Sequence, residues 1–193
     1  MEALPWMDWI EPALEPAALL TGIGYALLAV RRNRWAWVFG GFSSALLAWL
    51  AAGAALPLQA ALQTLYVGMA VYGFVNWSAD GHGDPLIHRW PLARHALAIG
   101  MIAAFALLVS RTPLASAGEW PELDAAVTGA SLLATWMTAR TVLENWLYWF
   151  FVNAASIVLY GSQGLPLVAG LYVVYFVIAI FGWRAWHLRW RGA

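Results

Sequence analysis

Cysteine and lysine are both absent from the 193 residues. The first absence removes disulfides, thiolate nucleophiles and sulfur ligands, and it leaves the compartment unmarked by thiols. Charge is also scarce: Asp, Glu, Lys and Arg make up 10% of the chain, where a soluble domain carries about 25%. What charge there is lies segregated. No Asp, Glu, Lys, Arg or His occurs from Trp35 to Trp77, from Ala96 to Ser110, from Ala125 to Ala139, or from Asn145 to Trp183. Apolar residues form 63% of the sequence. A bilayer core of ~30 Å needs ~20 apolar residues per helix, so these stretches hold six spans, and Pro16 to Val30 adds a seventh. The runs are continuous rather than alternating, which selects helices over barrel strands.

The expected spans are 14–31, 35–53, 56–78, 92–110, 123–141, 145–162 and 165–187. Breaks fall at Arg31, Arg32, Asn33 and Arg34, at Gly53 and Pro57, in the polar stretches Asp80 to Pro91 and Thr112 to Pro121, and at Gly161, Gly164 and Pro166. Pro57 and Pro166 sit at the start of their helices, where a missing N–H costs least. The N-terminus carries Glu2, Asp8, Glu11 and Glu15 where a signal peptide needs basic residues. Trp6, Trp9 and Ile10 among those acids read as an interfacial anchor. With seven spans and the N-terminus outside, nine arginines fall on inner segments and only Arg111 on an outer one. That asymmetry sets the N-terminus outside and the C-terminus in the cytoplasm; the expected location is a bacterial inner membrane.

The chain also repeats itself. Leu56, Pro57, Leu58, Ala60, Leu62, Tyr66, Ala70, Gly73 and Trp77 recur 109 residues later as Leu165, Pro166, Leu167, Ala169, Leu171, Tyr175, Ala179, Gly182 and Trp186. Upstream the best match has an offset of 111, pairing Trp35 with Trp146, and Thr21-Gly22 echoes Thr128-Gly129. Chance resemblance between apolar helices explains shared Leu and Ala, but not a shared Leu-Pro-Leu start and Gly-x-x-x-Trp end. The expected fold is therefore an all-α integral membrane protein with seven transmembrane helices in a 3+1+3 parallel duplication. Its segments are an interfacial stretch 1–13, a first three-helix repeat 14–78, a linking helix with loops 79–122, a second repeat 123–188 and a cytoplasmic tail 189–193. Parallel repeats of this kind place a solute site between the halves near the midplane.

Within the spans the polar inventory is amide, hydroxyl and indole. On the third helix Gln59, Gln63, Tyr66, Gly73 and Trp77 follow spacings that share one face. On the sixth, Trp149, Asn153, Ser156 and Tyr160 do the same. At the 111 offset, Phe42 stands where Asn153 is and Val38 where Trp149 is, so the repeats diverge in polarity here. Such amides can equally serve as helix glue, worth about 0.6–2 kcal/mol. Trp35, Trp90 and Trp190 near span ends read as interfacial belt.

The patterns Gln63-x2-Tyr66-x5-Tyr72-Gly73-Phe74-x2-Trp77 and Trp149-x3-Asn153-x6-Tyr160 resemble the signature motifs of the PnuC-type nicotinamide riboside transporters. That family is similar to a full-length duplication of SWEET-type half-transporters, and the resemblance runs from about residue 14 to 188. Phe74 departs from the family's Trp and bears on substrate choice. The resemblance implies facilitated diffusion of unphosphorylated nicotinamide riboside for NAD synthesis, with trapping by a cytoplasmic kinase. It implies a substrate site drawn from Gln59, Gln63, Tyr66, Tyr72, Trp77, Trp149, Asn153 and Tyr160, with no cofactor and no metal. Thiamine and riboflavin are carried by other members and stay open as alternatives. The partners expected are the small-molecule substrate and the lipid bilayer, without nucleic acid; self-association into a homo-oligomer is open.

Other classes fare worse. A proton- or sodium-coupled carrier commonly needs an intramembrane carboxylate or histidine, and none lies mid-span. An intramembrane enzyme would have to work with hydroxyls and amides alone. A retinal-type photoreceptor needs a Schiff-base lysine, which the chain lacks. His82, His88 and His95, with Asp80 and Asp84, match no metal-ligand spacing and read as a solvated loop. A non-transporting membrane scaffold would not require the duplication or the polar faces.

Overall fold

The computed structural model describes residues 7–53, 57–77, 86–112 and 120–192. Among them seven helices run α1 Met7–Val30, α2 Trp35–Gly53, α3 Pro57–Asn76, α4 Leu92–Val109, α5 Pro121–Ala139, α6 Asn145–Ser162 and α7 Pro166–Gly192. These agree with the seven expected spans, with two extensions. The first helix already begins at Met7, and the last continues through Arg189 and Arg191 to Gly192. Cationic side chains in that last turn suit the negative end of the helix dipole. Trp6, Leu56, Asp80, His82 and Asp84 lie outside the described residues.

Length and composition alone qualify Ala13–Val30, Trp35–Gly53, Leu92–Val109 and Pro166–Gly192 as candidate spans. The three helices that fall short are diluted by polar residues. They are α3 with Gln59 and Gln63, α5 with Glu122 and Asp124, and α6 with Asn145 and Asn153. Two of the three are the helices that carry the polar faces.

The chain divides into two compact units, Met1–Gly81 and His82–Ala193. In the first, α2 packs against both α1 and α3; in the second, α6 packs against both α5 and α7, and α4 joins α5. The middle helix of each trio seats a tryptophan on a glycine of the third. Any Cβ at Gly73 would overlap the Trp37 ring, and any Cβ at Gly182 would overlap Trp146. Glycine is required at both places by close approach. The same indoles then meet a second tryptophan edge-on: Trp37 and Trp77 at 5.3 Å and 80°, Trp146 and Trp186 at 5.6 Å and 84°.

The elbow between first and second helix has one geometry in both units. Arg32 and Thr141 stand in the left-handed region at φ 55° and 54°. Arg32 N–H donates to Ala29 O and Asn33 N–H to Leu28 O, while Thr141 N–H donates to Thr138 O and Val142 N–H to Met137 O. This is the Schellman ending, in which a left-handed residue lets two N–H groups satisfy the last carbonyls. Each bond of one elbow maps onto the other at a constant offset of 109. The upstream register is therefore corrected: Trp37, not Trp35, is the counterpart of Trp146. Gly40 and Ser44, rather than Val38 and Phe42, correspond to Trp149 and Asn153, and Thr21-Gly22 falls on Ala130-Ser131. The 111 offset arose because α2 offers two tryptophans and only packing tells them apart.

What fills the elbow differs. Ala29 and Ala36 occupy it in the first unit, both nearly inaccessible. Thr138 and Asn145 take those positions in the second, with Thr138 Oγ1 3.0 Å from Asn145 Oδ1, and the Asn145 amide donates to Val142 O at 2.6 Å. The second elbow is further strapped by the segment before α4. His88 forms a parallel bridge with Val142, and Thr141 Oγ1 donates to Leu86 O at 3.1 Å. Arg89 Nε donates to the buried Glu144 carboxylate at 2.7 Å, and the Trp90 N–H donates to its other oxygen at 3.2 Å.

Candidate functional site

On α6 the polar face is the buried face. Asn145, Trp146, Val152, Asn153, Ser156 and Leu159 are its inaccessible residues, and Trp149 and Tyr160 flank them half-buried. Trp149 is held in place from α5: its Nε1–H donates to Thr138 Oγ1 at 3.3 Å. The Thr138 hydroxyl reaches Ala134 O at 2.8 Å as well as the Asn145 amide oxygen. Thr138 thus fixes the indole, a role that sequence reading missed. Its signal was the coincidence of a threonine at the penultimate position of its helix with an asparagine seven residues on.

Asn153 is 3% exposed and Gln63 9%. Neither side chain makes a hydrogen bond among the described residues. The contrast with Asn145 is direct, since that amide is also buried but pairs with both Thr138 and Val142. Buried polar groups are nearly always satisfied, and leaving one unpaired costs about 1–3 kcal/mol. Asn145 is helix glue; Asn153 and Gln63 are amides without a structural partner.

On α3, Gln63 shares a buried stripe with Ala70, Gly73 and Trp77, while Gln59 and Tyr72 are exposed and Tyr66 is intermediate. Trp77 stands just past the helix end, edge-on to Trp37, as Trp186 stands to Trp146. Its position is that of a packing residue in both units. Phe74 lies beneath the Arg34 guanidinium at 5.3 Å and against Trp35 at 6.1 Å. Tyr160 stacks on Tyr172 with ring centroids 5.2 Å apart and planes 7° from parallel.

His88 and His95 are engaged in packing the second unit. His88 serves the bridge to Val142, and His95 stacks on Tyr148 with its Nδ1 3.0 Å from the phenol oxygen. Among the described residues no three His, Cys, Asp or Glu side chains converge on a metal position. A cavity of about 620 Å³ lies on the other face of α6, where Tyr148, Phe151 and Ala155 meet Ile99 and Ile102 of α4 and Val127 of α5. It shares none of the polar residues of the Asn153 face.

Six of the seven helices form two glycine-packed trios, each carrying a buried amide that makes no hydrogen bond among the described residues, an arrangement suited to a multi-pass membrane transporter. The chain belongs to the Nicotinamide mononucleotide transporter family, which matches it over residues 12–188. It is 29% identical over 181 residues to the riboflavin/roseoflavin transporter RibM of Streptomyces davaonensis, covering 89% of this chain and 83% of that one. It is 25% identical over 208 residues to the nicotinamide riboside transporter PnuC of Escherichia coli K12, covering 93% and 85%. Its fold is similar to the crystal structure of the vitamin B3 transporter PnuC, with a TM-score of 0.73, 21% identity, and coverage of 97% of this chain and 86% of that one. These are inner-membrane transporters and not enzymes, and the family is the PnuC type that the sequence resembles.

Proposed function

We propose that the chain is a facilitated-diffusion uniporter for a vitamin-like solute with a flat heteroaromatic ring, and that nicotinamide riboside is its substrate. The observation that carries this is that a buried amide in each unit, Gln63 in the first and Asn153 in the second, makes no hydrogen bond among the described residues. An amide with no protein partner is ready to bond a solute's carboxamide or hydroxyl groups. Trp149, oriented by Thr138, offers its face to the pyridinium ring, a cation–π contact of ~0.5–2 kcal/mol. Tyr66 and Tyr160 stand on the same faces, and the exposed Gln59 and Tyr72 of α3 complete the proposed set. Trp77 supports the trio by packing.

An unphosphorylated solute fits better than a mononucleotide. Phosphate recognition relies on Arg or Lys, and the stretches Trp35 to Trp77 and Asn145 to Trp183 contain neither. The same stretches hold no acid or histidine to carry a coupling ion, and the buried Glu144 at the start of α6 is engaged by Arg89. Transport is then passive, and accumulation follows from phosphorylation of the riboside in the cytoplasm. The constant offset of 109 supports a 3+1+3 duplication with α4 as the link, and the arginine asymmetry supports an outer N-terminus.

Riboflavin is the second reading, favoured by the RibM relative at 29% identity. Uptake of labelled nicotinamide riboside, riboflavin and thiamine into vesicles bearing the protein separates them. Saturable riboside uptake supports the first reading. Uptake of riboflavin with exclusion of riboside moves the chain to the second, and uptake of none of the three refutes both.

A further inference from the structure

Five hydroxyl side chains are buried among the described residues: Ser43, Thr135, Thr138, Thr141 and Ser156. Four of them donate hydrogen bonds. Ser43 reaches Ala18 O at 2.7 Å, Thr135 reaches Ser131 O at 2.8 Å, Thr138 reaches Ala134 O at 2.8 Å, and Thr141 reaches Leu86 O at 3.1 Å. Ser156 is fully inaccessible, and its Oγ has no partner. This is unusual for a serine inside a helix, because the carbonyl four residues back is always within reach of one rotamer. Thr21, Ser131, Thr135 and Thr138 all use that carbonyl. Ser156 leaves it unused.

Its place gives the vacancy a meaning. Ser156 lies three residues beyond Asn153 and seven beyond Trp149, so all three share one face of α6. At 1.5 Å per residue, Ser156 is about 4.5 Å from Asn153 and about 10 Å from Trp149 along the axis. A ring lying on Trp149 would point its substituent past Asn153 toward Ser156. The first unit has Leu47 at the corresponding position, so only the second unit offers a hydroxyl there.

We infer that Ser156 is a specificity-determining residue that recognises a hydroxyl of the five-carbon polyol carried by the solute's ring. The inference rests on the functional reading above and deepens it. The hydroxyl both donates and accepts, so it matches a sugar-type hydroxyl of either ribosyl or ribityl form. Nicotinamide riboside and riboflavin share that group and differ in their rings, so Ser156 selects for the polyol and leaves ring choice to Trp149.

The test is calorimetric binding to purified, folded protein, comparing the parent with Ser156→Ala. The probes are nicotinamide riboside, riboflavin, the bare rings nicotinamide and lumichrome, and ribosides lacking one ribose hydroxyl. Ser156→Ala is expected to weaken the hydroxylated solute about three- to tenfold, the scale of one hydrogen bond to a neutral partner. Binding of bare rings should not change, and one deoxyriboside should lose its disadvantage in the variant, the coupling that a double-mutant cycle reads. Thermal stability should hold or rise, because the variant deletes an unpaired buried hydroxyl. A Ser156→Ala protein that keeps the parent's affinity and its selectivity among ribosides overturns the inference and leaves the transport function standing. A parent that binds neither riboside nor riboflavin overturns the functional reading itself, and that result is visible without any variant.

Discussion

Replacing Gly182 with alanine places a methyl group inside the Trp146 indole. That indole cannot move aside cheaply, for it is 4% exposed and wedged edge-on against Trp186, which is fully inaccessible. Overpacking of a filled core costs typically 1–3 kcal/mol, and a rigid ring flanked by another rigid ring belongs at the upper end. With roughly 2–4 °C lost per kcal/mol in a chain of this size, Gly182→Ala should lower the melting temperature in detergent by about 6–12 °C. Gly73→Ala meets Trp37 in the same way and should behave alike. Gly100 and Gly170 supply the control, since a Cβ at either finds nothing within 4 Å. Alanine there removes helix-interior glycine and should gain about 0.5–1 kcal/mol. Thermal unfolding followed by tryptophan fluorescence reads all four. If Gly182→Ala and Gly73→Ala melt with the parent, or no lower than the two controls, the tryptophan-on-glycine packing is not what holds each trio.

Removing the Glu144 side chain strips Arg89 of its partner and the Trp90 N–H of its acceptor. Because Arg89 is half exposed, Glu144→Ala should cost only about 1–3 kcal/mol, read as a lowered melting temperature. Reporter fusions at the C-terminus and in the α4–α5 connection should report cytoplasmic and extracytoplasmic placement respectively; the reverse pattern overturns the seven-span orientation. Proteoliposomes should equilibrate the solute without concentrating it, and uphill accumulation driven by a proton or sodium gradient would reveal a coupling site.

Much of the fold was legible because a bilayer punishes charge so strongly that its absence marks each span. Helix ends were less visible. Neither Arg32 nor Thr141 announces a left-handed ending as a glycine would, so the shared elbow emerged only from the backbone. The register of α2 was hidden for a related reason: Trp35 and Trp37 look alike in sequence, and only Trp37 rests on Gly73. The polar faces of α3 and α6 could be read from spacing, but spacing could not say which amides were already engaged. Asn145 and Asn153 sit on one helix eight residues apart, and only hydrogen-bond partners distinguish glue from a free amide. The strap from Arg89 to Glu144 joins residues 55 apart, a pairing no local pattern contains.

The central claim, that Asn153 and Gln63 stay unpaired in order to hold a solute, is tested most directly by binding. Nicotinamide riboside and riboflavin are titrated into the parent, Asn153→Leu and Gln63→Leu, each purified and folded in detergent. Losing one such bond and leaving a buried solute group unpaired costs ~1–3 kcal/mol, which is about 5- to 150-fold in affinity. The account predicts a loss of that size in both variants for the solute that the parent binds, with melting temperatures unchanged or raised. Parent-like affinity in both variants would contradict it and return the two amides to the helix packing.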